Sequence, residues 1–319
     1  MGYDATNYLS HDISRKKVID FIKMLGFTGQ GDWYHFFQDD DYKYLYGVYL
    51  CVTQKDDSLT VYTRTPIYCS THDLLYQNYV MKQIKQYFGG YFMSDYGKNR
   101  YFKVDNTVTT PAERGCYAAH FRLSNSFAEI RQLIYNFTED EHQVRVWKDF
   151  GIPTSASLLS NISTTYISSI MENYFRQLYV AILKYSEKKE NIISSSRINN
   201  YDLIDVSEKR ITIEEAVALS KSFQNIHKVD AYFRELNKRI DIKGALSKPY
   251  HRRKETLFNT LDRVLEHRHA LVHHMYVDGQ YKLDDITKDI DSICTALDKV
   301  YEHICDVYEW PCNYVPPKI

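Results

Sequence analysis

Leu257-Phe258-Asn259-Thr260-Leu261-Asp262-Arg263-Val264-Leu265-Glu266-His267-Arg268-His269-Ala270-Leu271-Val272-His273-His274-Met275 is the stretch on which the reading of this chain turns. Leu257, Leu261, Val264, Leu265, Leu271, Val272 and Met275 recur at the three-and-four spacing of one helix face. The pattern predicts a helix from about Tyr250 to Tyr276 with an apolar stripe turned toward a core. Arg268 stands on that stripe, where a bundle would want leucine. A guanidinium does not lose its proton, so removing it from water is unfavourable unless acceptors or anions meet it. Two readings stay open for it. Arg268 belongs to a functional site, or it pairs with a buried carboxylate such as Glu172 and ties helices together.

Outward from this helix the second half of the chain reads as helical throughout. Ala156 to Ser186 places Ile167, Ile170, Met171, Tyr174, Leu178 and Ile182 on one side, and Leu283 to Trp310 is a further long helix. Thr212 to Leu236 holds one or two helices opened by the capping box Thr212-x-x-Glu215, whereas Glu187 to Asp205 is polar and reads as a mobile loop. Residues 146–319 are therefore expected to form an all-helical bundle of four or five helices. The first half is different. Ser14 to Gly26 and Thr71 to Phe88 read as helices, the second stopped at Gly89-Gly90. Tyr42 to Val52, Leu59 to Thr65, Asn99 to Val104 and Cys116 to Leu123 read as strands, with a turn at Asp56-Asp57-Ser58 and a last helix from Phe127 to Phe137 capped by Ser124. Residues 1–145 are expected to be an α+β domain, so the whole chain falls in the α+β class. The boundary is set near residue 145, in a stretch that is charged and then carries Gly151, Pro153 and a serine-threonine cluster.

Composition narrows the function classes. The 319 residues carry a formal net charge of −1, which excludes a bulk polyanion binder and leaves only a local patch for any nucleic acid. Six cysteines are scattered without a CxxC pair, which suits reduced thiols and a cytoplasmic protein. No apolar run approaches the roughly 20 residues of a membrane span, so no membrane partner is expected, and Met1 to Ser10 lacks a signal-peptide core. Gly29-Gln30-Gly31 is not followed by a helix, which argues against a phosphate loop. Gly89-Gly90 and Gly97-Lys98-Asn99-Arg100-Tyr101 frame a turn that suits a nucleotide or a nucleic-acid strand, and equally a plain tight loop feeding a strand.

The string Arg268-His269-Ala270-Leu271-Val272-His273, late in a helix of the all-α half, resembles the HEPN superfamily over roughly residues 150–310. Ribonuclease members of that superfamily carry an arginine, a polar residue, three further residues and a histidine near a helix end. Arg268, His269 and His273 match these positions, and Tyr276 and Asp278 follow as a Tyr-x-Asp. The resemblance implies a metal-independent endoribonuclease that needs no cofactor and works as a homodimer through its C-terminal bundle. It also implies a toxin or phage-defence effector held under tight control, with residues 1–145 as a sensor, substrate selector or target of an inhibitor or activator. In members silenced by nucleotide attachment to tyrosine, the tyrosine stands two places past the histidine. Met275 occupies that place here and Tyr276 comes one later, so His273 and His274 both stay open as the working histidine.

The chemistry agrees on its own terms. Driving a ribose 2′-hydroxyl onto the adjacent phosphate needs a proton acceptor near neutral pH, which histidine supplies. It also needs fixed positive charge where the phosphate gains negative charge, which the arginine fork supplies. His273 is read as general base or acid, Arg268 as transition-state stabiliser and His269 as an orienting or RNA-contacting group. Arg252, Arg253 and Lys254, with Tyr250 and with His274 beside the motif, are the candidate RNA contacts. Glu266 and His267 are expected to be exposed. His269 and His273 sit one turn apart, as two metal ligands would, but no carboxylate or cysteine at a matching distance completes a set. The competing readings are a non-catalytic helical module that binds RNA or a protein, and an enzyme whose active part is the N-terminal domain.

Overall fold

The computed structural model describes residues 2–10, 12–38, 41–55, 58–104, 109–138, 152–248, 255–274 and 276–311. The chain divides into two compact units, Met1–Arg114 and Gly115–Ile319.

The first unit is a seven-stranded antiparallel sheet with two helices. Its elements are β1 (Gly2–Tyr8), α1 (Arg15–Met24), β2 (Thr28–Gln30), β3 (Trp33–Phe36), β4 (Val48–Lys55), β5 (Ser58–Pro66), α2 (Thr71–Phe88), β6 (Tyr91–Ser94) and β7 (Gly97–Lys98). The strand order is β2-β3-β4-β5-β1-β6-β7. Burial alternates along β5, whose Leu59, Val61, Thr63 and Thr65 point inward, as the period of two requires. Val18 and Ile22 of α1 and Val80 and Ile84 of α2 close over Leu50, Val52 and Val61 on that face. Ser14 caps α1 and Ser70 caps α2 in a capping box with Asp73. Asp73 is fully buried, and burial raises its pKa although its carboxylate accepts from the backbone N–H groups of Leu45, Tyr46, Gly47 and Ser70. It pins the loop before β4 to the start of α2.

Several strand expectations are corrected here. β1, β2 and β3 lie outside the expected strands: β2 is polar and exposed, β3 is an aromatic run of only four residues, and β1 buries only Ala5 and Asn7 yet lies between β5 and β6. Tyr42 to Gly47 is turn and irregular backbone, and Asn99 to Val104 is not a strand. Pairing instead begins earlier, at Tyr91, because Gly90 at φ +78° turns the chain where a Cβ would collide with the Tyr8 carbonyl.

The second unit is helical among its described residues. Its elements are α3 (Pro111–Tyr135), α4 (Ser155–Lys184), α5 (Lys189–Ser195), α6 (Asn200–Ser207), α7 (Ile213–Leu219), α8 (Ile226–Leu236), α9 (Ile242–Leu246), α10 (Leu257–His274) and α11 (Leu283–Tyr308). The unit division falls in the first turn of α3, upstream of residue 145, which itself lies outside the described residues. Cys116 to Leu123 is therefore helix rather than strand. Its His120 is buried, stacks on Tyr301 at 4.4 Å and places Nδ1 3.1 Å from the Tyr174 hydroxyl. Arg131 further along donates to Asp291 at 2.8 Å. Glu187 to Asp205 is corrected as well, for it folds into α5 and α6 on the single buried side chain Ile192. The Thr212–Glu215 capping box forms as expected. No described helix is long and apolar enough to cross a membrane.

Candidate active site

The helix α10 has two unlike halves. Thr256 Oγ1 accepts from the Asn259 N–H at its start, and Leu257, Phe258, Leu261, Val264 and Leu265 are all buried. On the flank of this half, Arg263 grips α11: Nη1 and Nη2 donate to the two oxygens of Asp289 at 3.0 and 2.6 Å, and Nε donates to Glu255 at 3.3 Å. The Tyr281 hydroxyl donates to the same Asp289 at 2.6 Å. Hydrogen bonding to Asp289 raises the Arg263 pKa, and burial raises that of Tyr281. This arginine is part of the frame.

Past Leu265 the stripe leaves the core. Leu271 is half-buried, Val272 is 45% exposed, and Met275 lies outside the described residues. The expectation of a continuous buried stripe is corrected: past Leu265 no described residue of α10 is buried. Arg268 sits at the changeover and is half-buried. Its Nη1 donates to Gln224 Oε1 at 3.1 Å, Gln224 Nε2 donates to Glu172 Oε2 at 3.1 Å, and Glu172 Oε1 is held by Arg176 at 2.8 Å. The carboxylate is thus already matched by one arginine, and Arg268 reaches it only through a neutral amide. Arg268 has no ion pair among the described residues.

His269, His273 and His274 are exposed and gather at the open end, with ring centroids 4.4 Å apart for His269–His273 and 5.9 Å for His269–His274. Five residues turn the helix by about 140° net. Arg268 and His273 therefore leave the axis in different directions within one chain, and no hydrogen bond joins them among the described residues. The His269–His273 pair gains no third ligand, since no group of three or more His, Cys, Asp or Glu suited to a metal occurs among the described residues. Tyr250, Arg252, Arg253 and Lys254 lie outside the described residues.

A second set of contacts fixes the backbone just past the motif. Buried Asn161 of α4 donates to the carbonyls of Ser157 at 2.7 Å and Asp278 at 3.0 Å, and its Oδ1 accepts from Asp278 N–H at 3.1 Å. The same Oδ1 lies 3.2 Å from His267 Nε2, which makes Nε2 the protonated nitrogen. His267 is half-buried rather than exposed, and burial lowers its pKa; Glu266 is exposed as expected. Tyr276 is exposed and Asp278 contributes mainly its backbone. Gln224 and Asn161 were missed in the sequence because each acts on α10 from a distant segment with no spacing to betray it. Cys69 and Cys294 offer no nucleophile near neutral pH, since burial pushes both thiols up to about 12.

No family model, curated protein or solved structure matches this chain.

Proposed function

We propose that the chain is a metal-independent endoribonuclease of HEPN-like design. The observation that carries this reading is Arg268: a half-buried guanidinium near a helix end, without a carboxylate partner among the described residues, beside three clustered histidines. A purely structural arginine would be satisfied as Arg263 is. In the proposed reaction His273 takes the proton of a ribose 2′-hydroxyl, and that oxygen attacks the adjacent phosphorus. The bond to the 5′-oxygen breaks, and the leaving oxygen takes up a proton. Arg268 stabilises the charge that builds on the non-bridging oxygens. The products are a 2′,3′-cyclic phosphate and a 5′-hydroxyl.

The divergence of Arg268 and His273 on one helix fits a site completed across a two-fold axis, where each arginine meets the partner's histidine face. The half-exposed Leu271 and Val272 would then lie at the isologous contact. A toxin or phage-defence role in the cytoplasm follows from the same reading, because free RNA cleavage harms the host.

The test is RNA cleavage in excess EDTA by wild type, Arg268→Ala, His273→Ala and His274→Ala. Cleavage that leaves 2′,3′-cyclic ends, and is lost in folded Arg268→Ala and in one of the histidine variants, supports the proposal and identifies the working histidine. Absence of cleavage of tRNA, mRNA and rRNA, with host toxicity unaffected by any substitution, moves the assignment to a helical binding module.

A further inference from the structure

In the first unit, α1 and α2 pack on the same face of the sheet. The strand register fixes what stands on the other face. One row across β3, β4, β5, β1, β6 and β7 reads Trp33, Cys51, Tyr62, Thr6, Met93 and Lys98. Beside it run His35, Tyr49, Arg64 and Asp4, and on the opposite side Thr53, Thr60, Tyr8 and Tyr91. The uncovered side of an antiparallel sheet is ordinarily polar. This one carries six aromatic rings. Trp33 is 61% exposed, and Tyr8, Tyr49 and Tyr91 are exposed as well.

The rings are already ordered for stacking. His35 lies on Tyr49 at 4.3 Å with planes 21° apart, and Tyr8 on Tyr91 at 4.9 Å with planes 17° apart. Lys98 Nζ sits 4.3 Å from the Tyr91 ring centre. Asp4 is taken up by the Tyr62 hydroxyl and by Arg64, whereas Lys98 of β7 has no ion pair among the described residues. Met93 is the one exposed aliphatic side chain in these rows, which is poor material for a protein–protein core.

We propose that this sheet face binds single-stranded RNA, with bases stacked on Trp33, Tyr49, Tyr62, Tyr8 and Tyr91 and a phosphate run passing Lys98. Unpaired bases are required, because a duplex hides the ring faces that aromatic side chains recognise. Sequence preference is weak, since every base has such a face. The biological consequence, selection of unpaired RNA for cleavage, rests on the ribonuclease reading; the binding itself does not.

The test is fluorescence anisotropy of the full chain carrying Arg268→Ala, which removes cleavage of the probe, with a fluorescein-labelled single strand of about 12 nucleotides. Trp33→Ala, Tyr49→Ala and Tyr91→Ala, with Tm checked, are each expected to weaken binding about tenfold. All three together should weaken it more than a hundredfold, and a duplex of the same length should bind poorly. Undiminished binding by the folded triple variant, or no binding of single strands by Arg268→Ala with the face intact, overturns the proposal. So does a triple variant that binds RNA fully but falls from dimer to monomer, which gives the face to a second copy of the chain. Ring-dependent binding without any cleavage sinks the ribonuclease reading alone. Cleavage with ring-independent binding sinks the platform alone.

Discussion

Arg263 and Arg268 stand five residues apart on one helix and live in opposite electrostatic conditions. Arg263 holds both oxygens of Asp289 and both of Glu255; Arg268 holds one neutral amide oxygen. The first half of α10 is buried around Leu261 and Val264, and the second half runs out to an exposed Val272. A cation met by a bidentate carboxylate has its field cancelled locally and serves the frame. A half-buried cation met only by an amide keeps its field available to an incoming anion. The helix therefore divides into a half that holds the bundle and a half that is free to act.

The largest expected effect tests the free half. On the ribonuclease reading, Arg268→Ala lowers the cleavage rate by about 10²–10³-fold, the usual loss when one transition-state donor is removed, while Tm stays within a degree or two of wild type. A fall in Tm of the size expected for Arg263 would instead make both arginines frame and erase the comparison. Next in size is Asn161→Ala, which strips three segments of a shared buried partner. Unfolding free energy should drop by about 2–3 kcal/mol by denaturant titration, and an unchanged midpoint would show that the Asp278 backbone is held some other way.

Arg263→Ala should follow at about 2 kcal/mol. Asp289 is only 10% exposed and would be left without its cation, but Arg263 is itself 45% exposed, so solvent screening reduces the loss below that of a fully buried pair. The folded fraction should cleave RNA at the wild-type rate. The double substitution Arg263→Ala/Arg268→Ala should show additive effects on stability and on rate, because the two side chains share no partner.

How much of this was legible depended on whether the signal was local. Leu257, Leu261, Val264 and Leu265 reported their burial through spacing alone, and Arg268 reported its oddity by standing among them. Where the stripe stops being core was not legible, since that depends on where the bundle ends. Cys116 to Leu123 misled for the opposite reason: Cys116, Ala118, Ala119, His120, Phe121 and Leu123 are all buried, and a helix buried nearly all round loses the period that identifies it. β1 was invisible because its two inward residues are Ala5 and Asn7; its place is set by pairing on both sides, with Asn7 Nδ2 donating to the Met81 carbonyl at 3.1 Å. Gln224 and Asn161 belong to the same class of failure, since their roles exist only once distant segments meet.

The smallest expected effect concerns His267, on the border between the two halves. Burial is the largest influence on it and lowers its pKa from the ordinary 6.5, outweighing the carboxylates of Asp278 and Asp289, which pull the other way; Arg263 adds to the lowering. A histidine whose folded pKa lies below its unfolded one binds its proton first in the unfolded chain. Its contribution to stability is therefore complete above the unfolded value and is lost as pH falls through the folded value. Protonation leaves Nε2 still donating to Asn161, so the hydrogen bond survives and only desolvation of the new charge is felt. His267→Gln removes the titration while keeping an N–H donor. Chemical denaturation of wild type and variant between pH 7.5 and about pH 5 should give curves that run parallel above about 6.5 and separate below it, with wild type losing more. Curves that stay parallel throughout would mean that the imidazole is solvated in both states and that the open half of α10 already begins at His267.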